Sequence, residues 1–318
     1  MLSLAQIEAA ADLVYRHVPP TPQHRWPLVC ERAGTEVWVK HENHTPIGAF
    51  KLRGGLVYMS DLVTTRPDVP GVLAATRGNH GQSVAFAARA SGIRAVIVVP
   101  HGNSVAKNRA MRALGAELVE SGHDFNAAHD HAVGLAEKRG LHMLPSYHPL
   151  LVRGVASYSL EFLSAVPDLD TVYVPIGLGS GIGGMIAVRD ALGHKTEIVG
   201  VVAEKAATYA LSFAAGRPVA TESADTLADG VAVRVPDKDA LQTILKGCAR
   251  VVTVSEDEIK AAMRAYFTDT HNVAEGAGAA PLAALLNEKD KMAGRKVGLV
   301  LSGGNIDMGL YREILAGP

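Results

Sequence analysis

The chain has 318 residues, with 31 Lys+Arg against 32 Asp+Glu and a net charge of −1; the length points to two domains or one large α/β unit, and the balanced charge excludes nucleic acid or an anionic membrane surface as the main partner. Hydrophobic residues make up 48% and charged residues 20%, a globular balance that excludes a disordered chain. Glycine accounts for 32 residues and aromatics for only 5%, an excess of the first over the usual ~7% and too few rings for a stacking platform.

In chain order, the first 18 residues mix Gln6, Glu8 and Asp12 into their apolar positions, so no secretory leader is expected. β-Branched runs predict strands at 36–40, 71–75, 95–99, 117–119, 171–174, 197–203, 250–253 and 297–301, with helices at 81–91, 104–114, 125–139 and 256–268. The last helix has a start signal, Ser255 with Glu258 three residues on. Runs such as AVIVV and KVGLVL are apolar on both faces, as in a parallel sheet covered by helices, and the repeated strand-then-helix order predicts an α/β fold with right-handed crossovers. No apolar run of about 18 residues occurs, so no membrane span is expected and a cytoplasmic location is. Cys30 and Cys248 stand far apart in no metal or redox pattern, which supports neither a disulfide framework nor a thiolate zinc site.

Four segments carry candidate chemistry. In PIGAFKLRGG, residues 46–55, Lys51 lies among Ile47, Gly48, Ala49, Phe50 and Leu52; a desolvated lysine loses part of its preference for the charged form and becomes a nucleophile for carbonyls, although a surface lysine at a helix start also fits. ATRGNHGQS, residues 75–83, ends a strand and opens a helix. Gly78 and Gly81 there allow close approach of a ligand, Asn79 and His80 project, and the helix start offers N–H donors to an anion; a plain strand–helix turn with an Asn cap is the alternative. In PIGLGSGIGG, residues 175–184, Gly177, Gly179, Gly181 and Ser180 suit a phosphate nest. The same stretch matches a dinucleotide fingerprint through Gly179, Gly181 and Gly184, with Glu204 twenty residues after Gly184 (204 − 184), and glycines also serve close helix–sheet packing. In VLSGGNIDM, residues 300–308, Ser302 is the last polar group of a strand end, a ligand position in open α/β sheets or simply a turn or cap.

Taken together and in this order, these segments resemble the fold type II pyridoxal-phosphate enzymes, the threonine dehydratase and serine racemase branch of the tryptophan-synthase-β-like superfamily. TPQHRWP, WVKHENHTPIGAFKLRGG, RGNHGQS, GLGSG, TLADGVAV, VAEGAGAAPLAA and LSGGN carry the resemblance over nearly the whole chain, and within the branch TRGNHGQS and GLGSG most resemble phenylserine dehydratase and the hydroxyectoine-utilisation dehydratases. The resemblance implies two lobes, each with a mainly parallel sheet flanked by helices: a large domain of residues 1–44 and 146–318 that binds pyridoxal 5′-phosphate, and a small mobile domain of residues 45–145. It implies that Lys51 binds the cofactor aldehyde covalently and moves protons at the substrate Cα. Phe50 would pack on the ring, Asn79 donate to its O3′ oxygen, and Gly177, Leu178, Gly179, Ser180 and Gly181 hold the phosphate. Ser302 would face the pyridine nitrogen and act with Lys51 in catalysis, Gly230 and Glu275 would line the cofactor, and Arg77, Gly78, Asn79 and His80 would take the substrate carboxylate. A phosphate monoester carries close to two negative charges, which a glycine nest offsets, and a neutral serine at the ring nitrogen leaves a weaker electron sink that favours β-elimination over transamination. The implied activity is loss of water from a β-hydroxy-α-amino acid of phenylserine, threonine or serine type, giving a 2-oxo acid and ammonia. A nicotinamide-dependent oxidoreductase, an amino-acid racemase and a non-catalytic amino-acid-binding module are the alternatives. The expected partners are a small-molecule amino acid and a second copy of the chain in a two-fold dimer.

The sequence also departs from the pattern. Racemising relatives carry a serine where Arg77 stands, and arginine does not exchange protons at working pH, so racemisation is disfavoured. Cation-binding relatives use a Glu, a carbonyl four residues on and an Asp six residues on; here Glu204 is followed by Thr208 and Ala210, so no specific metal is expected. Leu178 and Ser180 replace glycines of many relatives yet still supply donors. The chain ends 13 residues after Asn305 (318 − 305), so no feedback domain is expected. His123, His129 and His131 read as a solvated helix face, and His41 and His44 as loop residues.

Overall fold

The computed structural model describes residues 2–317. It divides into two compact units, one running to Phe50 and resuming at Val155, the other spanning Lys51–Gly154. The first unit begins with α1 (Leu4–Tyr15), β1 (Gln23–Arg25), α2 (Pro27–Ala33) and β2 (Glu36–His41). The second holds α3 (Lys51–Thr65), β3 (Gly71–Ala75), α4 (Asn79–Ala90), β4 (Arg94–Val99), α5 (Val105–Ala113), β5 (Glu117–Glu120), α6 (Phe125–Arg139) and β6 (His142–Met143). The unit boundary falls within α7 (Pro149–Ala165). The first unit then continues through β7 (Thr171–Pro175), α8 (Ser180–Leu192), β8 (Glu197–Ala203), α9 (Thr208–Ala215), α10 (Lys238–Gly247), β9 (Arg250–Val254), α11 (Glu256–Thr270), α12 (Gly276–Asn287), β10 (Lys296–Leu301) and α13 (Met308–Ala316).

The larger sheet has the order β1-β2-β10-β7-β8-β9, parallel except for β1 at its edge. The smaller sheet, β5-β4-β3-β6, is parallel throughout. The predicted α/β class and the eight predicted strands are all present, with ends displaced by at most one residue. β1 and β6 were not expected, because three and two residues are too few to show a two-residue period. β3 and β7 are buried at every position, as their two-sided apolar runs require. α12 is buried from Gly276 to Leu285, and its GAGAAPLAALL composition suits it: a helix apolar on all sides belongs in a core, and its small side chains let it pack closely there.

Local signals set several helix boundaries. Ser255 accepts from the Glu258 N–H while the Glu258 carboxylate returns to the Ser255 N–H at 2.7 Å, the capping box read from sequence. α11 runs two residues beyond its predicted end and stops at His271, whose φ of 56° is left-handed. α4 begins two residues earlier than predicted, since the Gly78 carbonyl accepts the Gln82 N–H at 3.2 Å and draws Asn79 and His80 into the first turn. Among the described residues no helix is long and apolar enough to cross a membrane.

Each sheet contains one position where the chain leaves a strand in one direction and returns on its other side. β3 leads to β4 on one flank while β6 lies on the other; β7 leads to β8 on one flank while β10 lies on the other. Ligands of open α/β sheets bind beyond the carboxyl ends of strands at such switch points. The loops there are residues 76–78 after β3 and 176–179 after β7, which belong to two of the four segments singled out from sequence.

Beneath the larger sheet, Lys40 of β2 is fully buried. Its ammonium donates to Glu161 at 2.5 Å and to the Thr21 carbonyl at 2.6 Å, and Glu161 also accepts the Thr21 N–H at 3.1 Å. Removing one partner of a buried pair strands the other charge, which costs more than the pair itself contributes. Glu161→Ala should therefore lower unfolding free energy by about 3–5 kcal/mol, read from urea denaturation, whereas a surface change such as Lys260→Ala should shift it by less than about 0.5 kcal/mol.

Candidate active site

In the first unit, three adjacent strand ends gather one set of candidate residues. β2 and β10 are parallel neighbours, as are β10 and β7, so the segments that follow them leave from the same edge. Residues 47–50 are strapped to residues 302–305 by three hydrogen bonds, two of which form the Ala49–Gly303 bridge. The Phe50 N–H donates to the Ser302 carbonyl at 3.0 Å and the Gly304 N–H to the Gly48 carbonyl at 2.9 Å. Asn305 Nδ2 donates to the Ile47 carbonyl at 2.7 Å. Thr45 closes the same segment, its hydroxyl donating to the Ala49 carbonyl and accepting the Ala49 N–H. Ser302 is thereby buried at the strand end. Glu275 donates its N–H to the Gly303 carbonyl at 3.1 Å, and its carboxylate occupies the space a side chain on Gly303 would need.

The loop after β7 is shaped as an anion cradle. Gly179 caps α8 with φ of 102°, a left-handed conformation open to glycine, and the first-turn N–H groups of this 13-residue helix lack intrahelical acceptors. A side chain on Gly177 would collide with the Gly230 carbonyl, so only glycine keeps the cradle open there. Ser180 is buried at the first helical position. The Phe50 ring lies 3.7 Å from where a Gly181 side chain would project and meets Tyr158 edge-on at 6.0 Å. Tyr158 donates to the Gly181 carbonyl at 3.3 Å, and Tyr209 donates to the Leu178 carbonyl at 3.1 Å. Neither tyrosine was anticipated from sequence. Each lies more than twenty residues from its loop partner, and no local pattern marks it.

In the second unit, Lys51 opens α3 and Asn79 opens α4. The helices meet at Gly55, whose missing side chain makes room for Ser83, and the Ser83 hydroxyl donates to the Lys51 carbonyl at 2.7 Å. Burial lowers the Lys51 amine from 10.5 to about 8, so a useful fraction is neutral near physiological pH. Burial first, and the Lys51 charge second, push His80 down to about 3. That keeps its imidazole neutral, and its buried Nε2 has no hydrogen-bond partner among the described residues. Gly78 is buried against the Lys107 stem, while Arg77 is exposed. The sequence-predicted residues therefore fall into two sets: Phe50, Gly177, Leu178, Gly179, Ser180, Gly181, Gly230, Glu275 and Ser302 in the first unit, and Lys51, Arg77, Gly78, Asn79 and His80 in the second.

Each set fits part of pyridoxal phosphate. In the first unit the loop at Gly177 suits the phosphate, Phe50 offers an apolar ring face and Ser302 is a buried neutral group; in the second, Lys51 supplies an amine of lowered pKa and the orphaned His80 nitrogen suits a polar ligand.

The remaining histidines behave differently. His41 closes β2 rather than lying in a loop. It is buried, accepts from Trp26 Nε1 at 2.9 Å and stacks on His44 at 4.9 Å, and burial above all pushes it down to about 3. His44 pairs with Asn272 at 2.7 Å. His123, His129 and His131 are exposed, and among the described residues no group of three or more His, Cys, Asp or Glu side chains converges to hold a metal.

Comparison with known proteins follows the same lines. Residues 14–303 match the family model described as pyridoxal-phosphate dependent enzyme. The L-threonine ammonia-lyase of Thermotoga maritima is 34% identical over 99% of this chain and 78% of its own. The processed form of threonine deaminase isoform 2 from Solanum lycopersicum superposes with a TM-score of 0.92 at 31% identity, covering 99% of this chain and 92% of that one. Maize serine racemase superposes with a TM-score of 0.91 at 27% identity, covering 98% and 96%.

Burial sets the Lys51 amine, so its reactivity follows from its titration. The lowered pKa means the neutral form is half populated near pH 8 and falls below it. The rate at which the cofactor-free protein links to pyridoxal phosphate should rise about tenfold per pH unit below that point and level off above it. Stopped-flow absorbance across pH 6–10 checks this; a profile still rising at the ordinary lysine value would contradict the assignment.

Proposed function

The chain belongs to the pyridoxal-phosphate dependent enzyme family, as a fold type II member with threonine dehydratase and serine racemase neighbours, and from that premise we propose that it removes water from a β-hydroxy-α-amino acid to give a 2-oxo acid and ammonia. The observation that carries the reading is Lys51: one amine, buried at the start of α3 and lowered to about 8 by burial alone. When bound, pyridoxal phosphate supplies an aldehyde that links to amines and a ring that takes up the electron pair left at Cα.

The chain's own residues then have separable tasks. Lys51 holds the cofactor between turnovers. With an amino acid bound, its neutral amine would take the proton from the substrate Cα. The N–H groups of residues 177–181 hold the phosphate, aided by the helix start behind them. Phe50 covers one side of the ring, and Glu275 and Gly230 line it. Ser302 offers a hydroxyl and not a carboxylate to the ring nitrogen, so it imposes no charge there. Asn79 donates to the ring oxygen, and Gly78, Asn79 and His80 take the substrate carboxylate with Arg77 beside them. Loss of the β-hydroxyl with the Cα proton accounts for the water. Water then replaces the nitrogen of the enamine product, which releases ammonia and leaves the 2-oxo acid.

Arg77 favours this reading over racemisation, the activity named for the maize neighbour. Racemisation needs a second group able to give and take a proton, and a guanidinium stays protonated throughout. The dinucleotide alternative matched Gly179, Gly181, Gly184 and Glu204, and β7 and β8 do run side by side into those positions. Family membership sets it aside, and it leaves Lys51, Asn79 and Ser302 without a task. The proposal extends to threonine-, serine- or phenylserine-type substrates, a cytoplasmic location and a homodimer, the commonest symmetric oligomer.

The purified protein should release 2-oxo acid and ammonia from at least one of serine, threonine, phenylserine or hydroxyaspartate, tested as separate diastereomers, without inverting the unreacted substrate. Lys51→Ala should abolish both the yellow colour and turnover. Binding of these amino acids with no ammonia released would instead favour a non-catalytic module.

A further inference from the structure

The phosphate cradle is aimed from behind. Tyr209 lies on α9 and is 1% exposed, and its hydroxyl bonds in two directions. It donates to the Leu178 carbonyl at 3.1 Å and accepts the Asp237 N–H at 3.1 Å. Asp237 is the N-cap of α10, its carboxylate accepting the Asp239 and Ala240 N–H groups at 3.0 and 2.9 Å. Ala240 in turn backs the loop, since a side chain on Gly179 would come within 2.6 Å of its Cβ and 3.7 Å of the Tyr209 hydroxyl. One hydroxyl thus joins the back of the loop to the helix start that supports it.

The peptide between Leu178 and Gly179 is trans, as are all peptides among the described residues. In a trans peptide the C=O of one residue and the N–H of the next point in opposite directions. Holding the Leu178 carbonyl toward Tyr209 therefore turns the Gly179 N–H to the opposite side, where the cradle opens. Gly179 offers little resistance to rotation, because glycine visits both signs of φ. Without a partner for the Leu178 carbonyl, that peptide could rotate and remove one donor from the nest. We propose that Tyr209 is a positioning residue for the cofactor phosphate: it never touches the phosphate, and it sets the phosphate-specific part of cofactor affinity by fixing the orientation of the Leu178–Gly179 peptide.

The inference rests on the pyridoxal-phosphate reading and predicts a selective effect. Apoprotein of wild type and Tyr209→Phe is titrated with pyridoxal 5′-phosphate and, separately, with pyridoxal, which lacks the phosphate; absorbance of the Lys51-linked chromophore reports both. Tyr209→Phe should weaken the phosphate-bearing ligand about three- to tenfold, the scale of one hydrogen bond, and leave pyridoxal unchanged. Inorganic phosphate should also compete less well against pyridoxal phosphate in the variant. Equal weakening of both ligands, or no change in either, overturns the proposal.

Asp237→Pro provides a second route if the first variant does not fold. It deletes the N–H that orients the hydroxyl together with the carboxylate that caps α10, and the Asp237 φ of −67° already suits proline. It should give the same selectivity for the phosphate-bearing ligand, and equal loss of both ligands would overturn the proposal here too. A wild-type protein that binds pyridoxal phosphate no better than pyridoxal would count against the cofactor reading itself, before any question about Tyr209.

Discussion

The strap between residues 47–50 and 302–305 is the constraint from which the first unit's site follows. Its origin is topological: β2 and β10 run parallel and adjacent, so the chain leaves both at one edge and their exposed backbone groups must find partners. They find each other, through the Phe50 N–H, the Gly48 carbonyl and the Asn305 side chain. That pairing places Ser302 and the Phe50 ring, and Gly181 is left with no side chain on the face turned to that ring. The peptide bond that follows Phe50 leads to Lys51, so the lysine proposed to react begins directly after this strap.

The glycine excess divides into two kinds of work. Some glycines fit the view that they shape ligand loops, Gly177 and Gly179 among them. Others seat helices against their neighbours. A side chain on Gly54 would meet the Leu151 carbonyl of α7 at 2.7 Å and one on Gly278 of α12 the carbonyl of Gly303, just after β10, at 2.5 Å. At Gly55 and Gly154 it would strike Ser83 and the Arg53 backbone. Such contacts bring backbones closer than any larger residue allows, and interiors packed to crystal density tolerate no substitute. The scarcity of aromatics belongs with this: α12 is built largely from small residues, and large rings there would force the layers apart.

Strand positions, the α/β class and the loop motifs were legible in sequence because each depends on residues close together in the chain. Two-sided apolar runs mark buried parallel strands, and Ser255 with Glu258 marks a helix start. What escaped depends on distant pairing. Tyr158 and Tyr209 reach the loop after β7 from separate helices, β1 and β6 are short strands paired to longer neighbours, and His41 belongs to its strand because it pairs with Leu301 of β10. His80 reads from sequence as projecting from a loop but lies in the first turn of α4, and its neutrality was not legible, since that comes from burial and from the neighbouring Lys51 charge.

The way Lys51 is tuned has a consequence for how this chain tolerates change. A charged neighbour would set the amine through Coulomb attraction or repulsion, which salt screens. Here burial alone lowers it, and burial is a property of packing. The packing around it depends on Gly55 admitting Ser83 and on the Ser83 hydroxyl meeting the Lys51 carbonyl. A loosened α3–α4 contact would admit water, raise the amine toward its ordinary value and remove the neutral form on which the chemistry depends. On the proposed reading, core packing and catalysis are therefore one constraint at this position: a helix–helix contact away from the amine governs the burial that lowers it.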